Sequence, residues 1–553
     1  VKFGISILYY SVWQRNRKES MLGTALRGSL VMGPRSMMLG SRRFLRSSVV
    51  ASDRKVNDLF EPGIPAQKYY KARCDTCNTE RCVCPCHSPE KDSANVKSIL
   101  EDHSNEKDWS QHDLEDALEK HTLFTWGATD AMRQNAINIK RSEGIYFWDQ
   151  NGKRYMDWNA MAMCVNLGHS PDQSIIDAVV EQMNTQTYSY PGAFYADIRP
   201  KLCKLLADIC PGDINAFMFP SSGAEANEAA IRIARAKTGR HKIIARYRSY
   251  HGATLGSLTL TGDQRRWVAE NGASGIYHVM DPYPYSFKWG ETEEEICDRN
   301  LTYLNEVLEY EGPHNVAAIH MESITGTNGV MPPPKGYLRG VRDLCDKHGI
   351  LLVFDEVMAG FGRTGKLFGF CHEPNVIPDI VTFAKGVNGA YVPLGGVGLR
   401  DHVADHIRKN PVGYGSTYNS HPVALASAYA ALKVLLRDGI IQNAAKMEKP
   451  MQEGLQMLMD KHPSVKQARS IGLFACIDLA KNRNGDFAAK VTDPPTPALA
   501  KFRSALLDKG LFTMMRGHHT HCNPPLIINE EQIKDGISIL DECLPIMDEA
   551  MED

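Results

Sequence analysis

An α/β fold with a mostly parallel sheet is predicted by three features of the chain. Two apolar runs, residues 350–354 and 380–384, have the length of strands buried on both faces, and each leads into a charged residue, Asp355 and Lys385. Residues 338–347 read as an amphipathic helix that ends at Gly349 and feeds the first of these runs, a helix-to-strand unit. Residues 215–219 read as a further strand. It turns through Pro220-Ser221-Ser222-Gly223-Ala224 into a helix with Ala226, Ala229, Ala230, Ile233 and Ala234 on one face, stopped by Gly239. Sheets of this kind place ligands at the carboxyl ends of their strands, where Asp355 and Lys385 emerge.

Ahead of that core, residues 144–157 read as two short strands joined by an Asn151-Gly152 turn. With 553 residues the chain is long enough for one large α/β domain and smaller flanking parts. The expected organisation is a cleaved presequence over 1–52, a cysteine-rich segment and polar linker over 53–116, and a small domain from 117–171 and 422–553 around a large domain at 172–421. Residues 21–52 hold Arg27, Arg35, Arg42, Arg43, Arg46 and several serines but no acidic residue. That is the composition of a mitochondrial transit peptide, with Met21 as the expected start and the matrix as the destination. The apolar stretch 3–13 keeps a secretory or plastid leader as the alternative.

Five of the fourteen cysteines fall within thirteen residues: Cys74, Cys77, Cys82, Cys84 and Cys86, followed by His87. Two readings stand. Cys74 and Cys77 could pair with two of Cys82, Cys84, Cys86 and His87 around zinc, or the segment is a metal-free part of the presequence. The other nine cysteines are scattered singly, as in a reducing compartment. A net charge of −2 gives no broad basic field, so nucleic acid is not an expected partner. No apolar run reaches the roughly 18–20 residues that span a bilayer, so no membrane partner is expected either.

A lysine and a carboxylate at neighbouring strand ends supply the two charges that pyridoxal 5'-phosphate (PLP) chemistry needs. Lys385 can form a Schiff base with the cofactor aldehyde, and Asp355 can keep the pyridine nitrogen protonated. Residues 351–365, Leu-Leu-Val-Phe-Asp-Glu-Val-Met-Ala-Gly-Phe-Gly-Arg-Thr-Gly, and 378–386, Pro-Asp-Ile-Val-Thr-Phe-Ala-Lys-Gly, resemble the motif of class III (ω-) aminotransferases, which are fold-type-I PLP enzymes. The resemblance runs from His121 to the C-terminus. It implies phosphate binding by the backbone of Gly223 and Ala224 beside Ser222, and a stacking tyrosine, Tyr250, in the Tyr-His-Gly motif 250–252. Val357 is implied on the opposite ring face, with Glu322 in a segment where Ser323 replaces the family's proline. Thr417 is implied to reach the cofactor phosphate of a second subunit, hence a homodimer with shared active sites.

For the substrate, the resemblance lies closest to the taurine–pyruvate aminotransferase branch. It implies a small ω-amino acid or amine of the taurine or β-alanine type as donor and pyruvate as acceptor. Lys385 shuttles the proton, Arg516 pairs with the substrate carboxylate, and Trp126 and Met163 line the pocket. Arg246 and Arg363 are the next arginines to consider for the carboxylate. Two other readings use the same residues: an aminomutase or decarboxylase on this fold, and a non-catalytic metal-binding scaffold.

Overall fold

In the computed structural model the described residues are 109–269 and 272–553. The arginine-rich stretch and the cluster from Cys74 to His87 lie outside them. The chain to Leu123 and the chain from Phe124 are separate units. In the first, a helix over Gln111–His121 opens on a capping box between Ser110 and Asp113 and carries a Lys120–Asp116 pair one turn apart. It runs across the expected boundary between residues 116 and 117. Its signal was local charge and capping, with no buried apolar face to mark it.

The second unit starts with an antiparallel meander, β1 (Ile139–Glu143), β2 (Tyr146–Asp149) and β3 (Arg154–Asp157). The β2–β3 turn uses Gly152 at φ 79°, a left-handed conformation that costs glycine little. The large sheet follows: β4 (Ile214–Met218), β5 (Lys242–Arg246), β6 (Ile276–Val279), β7 (Val316–Glu322), β8 (Leu351–Asp355), β9 (Ile380–Phe383) and β10 (Gly396–Arg400). Their order is β4-β10-β9-β8-β7-β5-β6. The neighbours from β6 through β5, β7 and β8 to β9 run parallel, and β10 is antiparallel to both β9 and β4. Strand β4 begins one residue before the predicted position.

Alternation along β8 shows why its apolar run has no polar face. Leu351 and Val353 pack with Ala226, Ala230 and Ile233 of the helix Gly223–Thr238 on one side of the sheet. Leu352 and Phe354 pack with Leu338, Val341 and Cys345 of the helix Tyr337–His348 on the other. Both faces are covered, so both side-chain sets must be apolar. The two helices end on Gly239 and Gly349 in left-handed conformations, as predicted.

The last segment adds β11 (Val465–Ile471), β12 (Phe474–Leu479), β13 (Leu511–Phe512), β14 (Met515–Arg516) and β15 (His519–Cys522). Strands β11, β12, β15 and β14 form a third sheet, while β13 pairs in parallel with β3. That pairing joins the C-terminal segment to the N-terminal meander. The nine cysteines from Cys164 onward are all free thiols. Among the described residues no helix is long and apolar enough to cross a membrane.

Candidate active site

Strands β7, β8 and β9 end side by side, with Glu322 opposite Asp355 and Asp355 opposite Thr382. This carboxyl edge carries the site. Asp355 is 4% exposed. Its Oδ2 accepts from His251 Nδ1 at 2.7 Å and Asn227 Nδ2 at 2.8 Å, and its Oδ1 accepts from the Val357 N–H at 2.9 Å. Burial pushes the carboxyl's pKa up, but the His251 hydrogen bond, with further charge from His251 and His320, outweighs it and holds Asp355 below the usual carboxylate range. The group therefore stays ionised, and Oδ1 keeps a lone pair for a ring N–H.

Asn227 holds this arrangement and was not singled out in the sequence. It is fully buried and makes four hydrogen bonds, to Asp355, the His251 carbonyl, His320 and Thr382. Its Oδ1 accepts from Thr382 Oγ1, and its Nδ2 donates to Asp355, which fixes the amide's orientation. Its place in the helix Gly223–Thr238, one turn past the Ser-Gly-Ala turn, was the available signal.

Lys385 sits two residues beyond β9 with a φ of 42°, uncommon for a non-glycine residue. Ser222 caps the helix Gly223–Thr238 by accepting from the Glu225 N–H at 3.2 Å, and Gly223 packs near Ala384, the residue before Lys385. The N–H groups of Gly223 and Ala224, in the first turn, have no acceptor within the helix and can take an anion. The cradle is tight. A Cβ on Gly223 would meet Val357 Cγ2 at 2.9 Å, and one on Gly252 would meet Ala224 Cβ at 2.5 Å. The chemistry of these residues fits PLP: free helix N–H groups suit its phosphate, ionised Asp355 suits its ring nitrogen, and Val357 packs against the cradle at Gly223. When bound, PLP offers an aldehyde to amines and a ring that draws electrons from the bond broken at the amine carbon.

Glu322 differs from a direct cofactor ligand in its visible contacts. Its two oxygens accept from the backbone N–H of Tyr250 at 3.1 Å and of Gly326 at 2.7 Å. It thus pins the tyrosine loop to the 322–326 turn, and burial raises its pKa. Ser323, where a proline was expected, donates to Glu356, whose other bonds come from the Gly369 and Phe370 N–H groups.

Two side chains meet the Tyr250 ring. The Arg265 guanidinium lies 3.7 Å above its ring, and the Trp126 ring, 72% exposed, stands 6.2 Å away. Arg265 grips Asp263 through Nε and a terminal nitrogen, and donates to Thr327 Oγ1 at 2.9 Å. Arg516 on β14 reaches the same Asp263 at 3.5 Å. Burial and the adjacent Arg265 push the Arg516 pKa down to about 10, so this cation lacks full compensation. The sequence pointed to Arg516 but not to Arg265 and Asp263, which are brought in by the turn after Thr261-Gly262.

Met163, Thr417, Arg246 and Arg363 complete the set of expected residues. Met163 closes a left-handed turn over Ala160–Met163, is 1% exposed, and packs with Ile324, Val330, Met358 and Phe474. Thr417 is exposed and its carbonyl accepts from Tyr188 Oη at 2.7 Å; within one chain its hydrogen bonding does not link it to Lys385 or Asp355. Arg246 and Arg363 are excluded as substrate ligands. Arg246 is spent on the Glu322 carbonyl and Thr325, and Arg363, fully buried, on the Leu473 and Pro524 carbonyls and Asn166.

Residues 128–544 match the family described as Aminotransferase class-III. The chain therefore belongs to the class III aminotransferases, and it is an enzyme of that kind. It is 33% identical over 424 residues to a putrescine–pyruvate aminotransferase of Pseudomonas aeruginosa, covering 73% of this chain and 90% of the relative. It is 32% identical over 444 residues to a mitochondrial gamma-aminobutyrate transaminase 1 of Oryza sativa subsp. japonica, covering 77% and 83%. A solved taurine:2-oxoglutarate aminotransferase from Bifidobacterium kashiwanohense, in complex with PLP and glutamate, superimposes with a TM-score of 0.76 at 38% identity, covering 80% of this chain and 99% of that one.

Proposed function

We propose that the protein transfers the amino group of a small ω-amino acid or amine, of the taurine or β-alanine type, to a keto acid such as pyruvate. The two partners use one site in alternating half-reactions. The supporting observation is the cation pair beside Tyr250: Arg265 and Arg516 share a single carboxylate, Asp263, and so leave one positive charge for a substrate's acidic group. The names of the relatives differ in donor and in acceptor, which directs the substrate question to this part of the pocket.

In this reading the Gly223 and Ala224 N–H groups, with Ser222 beside them, hold the PLP phosphate. Tyr250 and Val357 sandwich the ring, Asp355 holds its nitrogen, and Glu322 keeps the Tyr250 loop in place. Lys385 Nζ would hold the cofactor's aldehyde carbon and, once displaced by the donor amine, would carry the proton between the donor's amine carbon and that cofactor carbon. Arg516 holds the substrate's acidic group, with Trp126 over the entrance. Thr417 serves the phosphate of a second subunit in a homodimer. The arginine-rich, acid-free stretch 21–52 supports import into mitochondria.

The test is a donor screen against pyruvate and 2-oxoglutarate, repeated with Arg516→Ala. Loss of a charge-assisted partner is expected to raise the keto-acid KM on the order of 10- to 100-fold. Equal slowing of both half-reactions with an amine that carries no acidic group as donor would assign Arg516 another role.

A further inference from the structure

The proposed substrate site beside Tyr250 holds a carboxylate of its own, Asp263. Asp263 is 7% exposed, and its side chain is held by Arg265 on both oxygens, by Asn328 Nδ2 at 3.2 Å and by Arg516 at 3.5 Å. Among the described residues Asp263 is the sole ion-pair partner of either arginine. The Arg516 contact is long, at the outer limit of a hydrogen bond, whereas the Arg265 contact is two-pronged. Arg265 is thus clamped on the tyrosine ring, and Arg516 is loosely tethered.

We infer that Asp263 is the specificity-determining residue for substrate charge: it cancels one of the pocket's two guanidinium charges, so that the site presents one net positive charge to an incoming acid. A substrate with one acidic group balances that charge. A dianionic acceptor adds a second carboxylate that must sit near the Asp263 carboxylate in a poorly hydrated site, where like charges repel strongly. A donor with a cationic far end is tolerated because Asp263 can accept it once Arg516 moves away.

This inference rests on the reading that the substrate's acidic group binds at Arg516, and the experiment separates the two. Asp263→Asn keeps the shape and removes the charge. The ratio of kcat/KM for 2-oxoglutarate to that for pyruvate, with one donor throughout, is expected to rise about tenfold or more, and a diamine donor is expected to lose activity relative to β-alanine. Asp263→Glu, which keeps the charge, should leave the acceptor ratio within about twofold of the parent.

An unchanged ratio in Asp263→Asn, with Arg516→Ala still raising keto-acid KM, overturns the inference and leaves the Arg516 reading standing. No effect in Arg516→Ala overturns that reading itself. If Asp263 serves only to hold Arg265 on Tyr250, Asp263→Asn lowers kcat/KM for both acceptors alike, which also overturns the inference. Should Asp263→Asn fail to load cofactor, Asp263→Ser is measured for the same ratio: a rise supports the inference, and an unchanged ratio overturns it.

Discussion

Replacing Asn227 by alanine removes four hydrogen bonds from a position with no solvent access. The His251 carbonyl, the His320 ring N–H and the Thr382 hydroxyl lose their Asn227 bonds, and Asp355 keeps His251 but loses its amide donor. A buried neutral group without a partner costs about 1–3 kcal/mol, and three of them, allowing for partial relaxation, give a loss of about 3–6 kcal/mol. Asp355 also turns more freely, so cofactor affinity should fall while the Lys385 chemistry remains. Chemical unfolding of the cofactor-saturated enzyme measures the first effect, and titration of the apoenzyme with PLP the second. A stability loss below about 1 kcal/mol with unchanged PLP affinity would refute the claim that Asn227 organises the edge of the sheet.

Lys385→Ala should abolish the visible cofactor band and transamination together, and a variant turning over at near the parent rate would remove Lys385 from the chemistry. Asp355→Asn should reduce turnover far more than melting temperature, because the ring nitrogen loses its charge partner; equal activity would make the carboxylate structural. The pH dependence of stability follows the lowered Asp355 pKa. Its contribution is present above the unfolded value near ~3.9 and is lost as pH falls through the lower folded value, so unfolding curves should show less acid sensitivity in Asp355→Asn than in the parent. Mixing inactive Lys385→Ala chains with an inactivating Thr417 variant should restore activity in confirmed hybrid dimers; no recovery would count against a phosphate contact across subunits.

The parts of the site that could be read from the sequence are those with a local pattern. Asp355 and Lys385 close apolar runs, and the Ser222-Gly223-Ala224 turn opens a helix whose buried alanine face is regular. The helix Gln111–His121 was missed because no buried face marks it. The Asp263–Arg265 pair was missed for a different reason. Its spacing resembles any surface turn, and it gains meaning only when Tyr250, Thr327 and Arg516, distant in sequence, converge on it. Arg246 and Arg363 show the converse. As arginines in motif segments they stood next after Arg516 as candidates for the carboxylate, but packing turns both guanidinium groups inward onto backbone carbonyls.

The central claim is that one site alternates between an acidic amine donor and a keto acid through Lys385 and Arg516. Its most direct test follows the visible band of the purified, PLP-loaded protein in single-turnover mixing, first with taurine or β-alanine and then with pyruvate or 2-oxoglutarate. The account predicts that the donor bleaches the band, that the keto acid restores it with formation of the matching amino acid, and that Arg516→Ala slows the restoring step most. A band that bleaches and is not restored by any keto acid, or one restored at the same rate without Arg516, would contradict it.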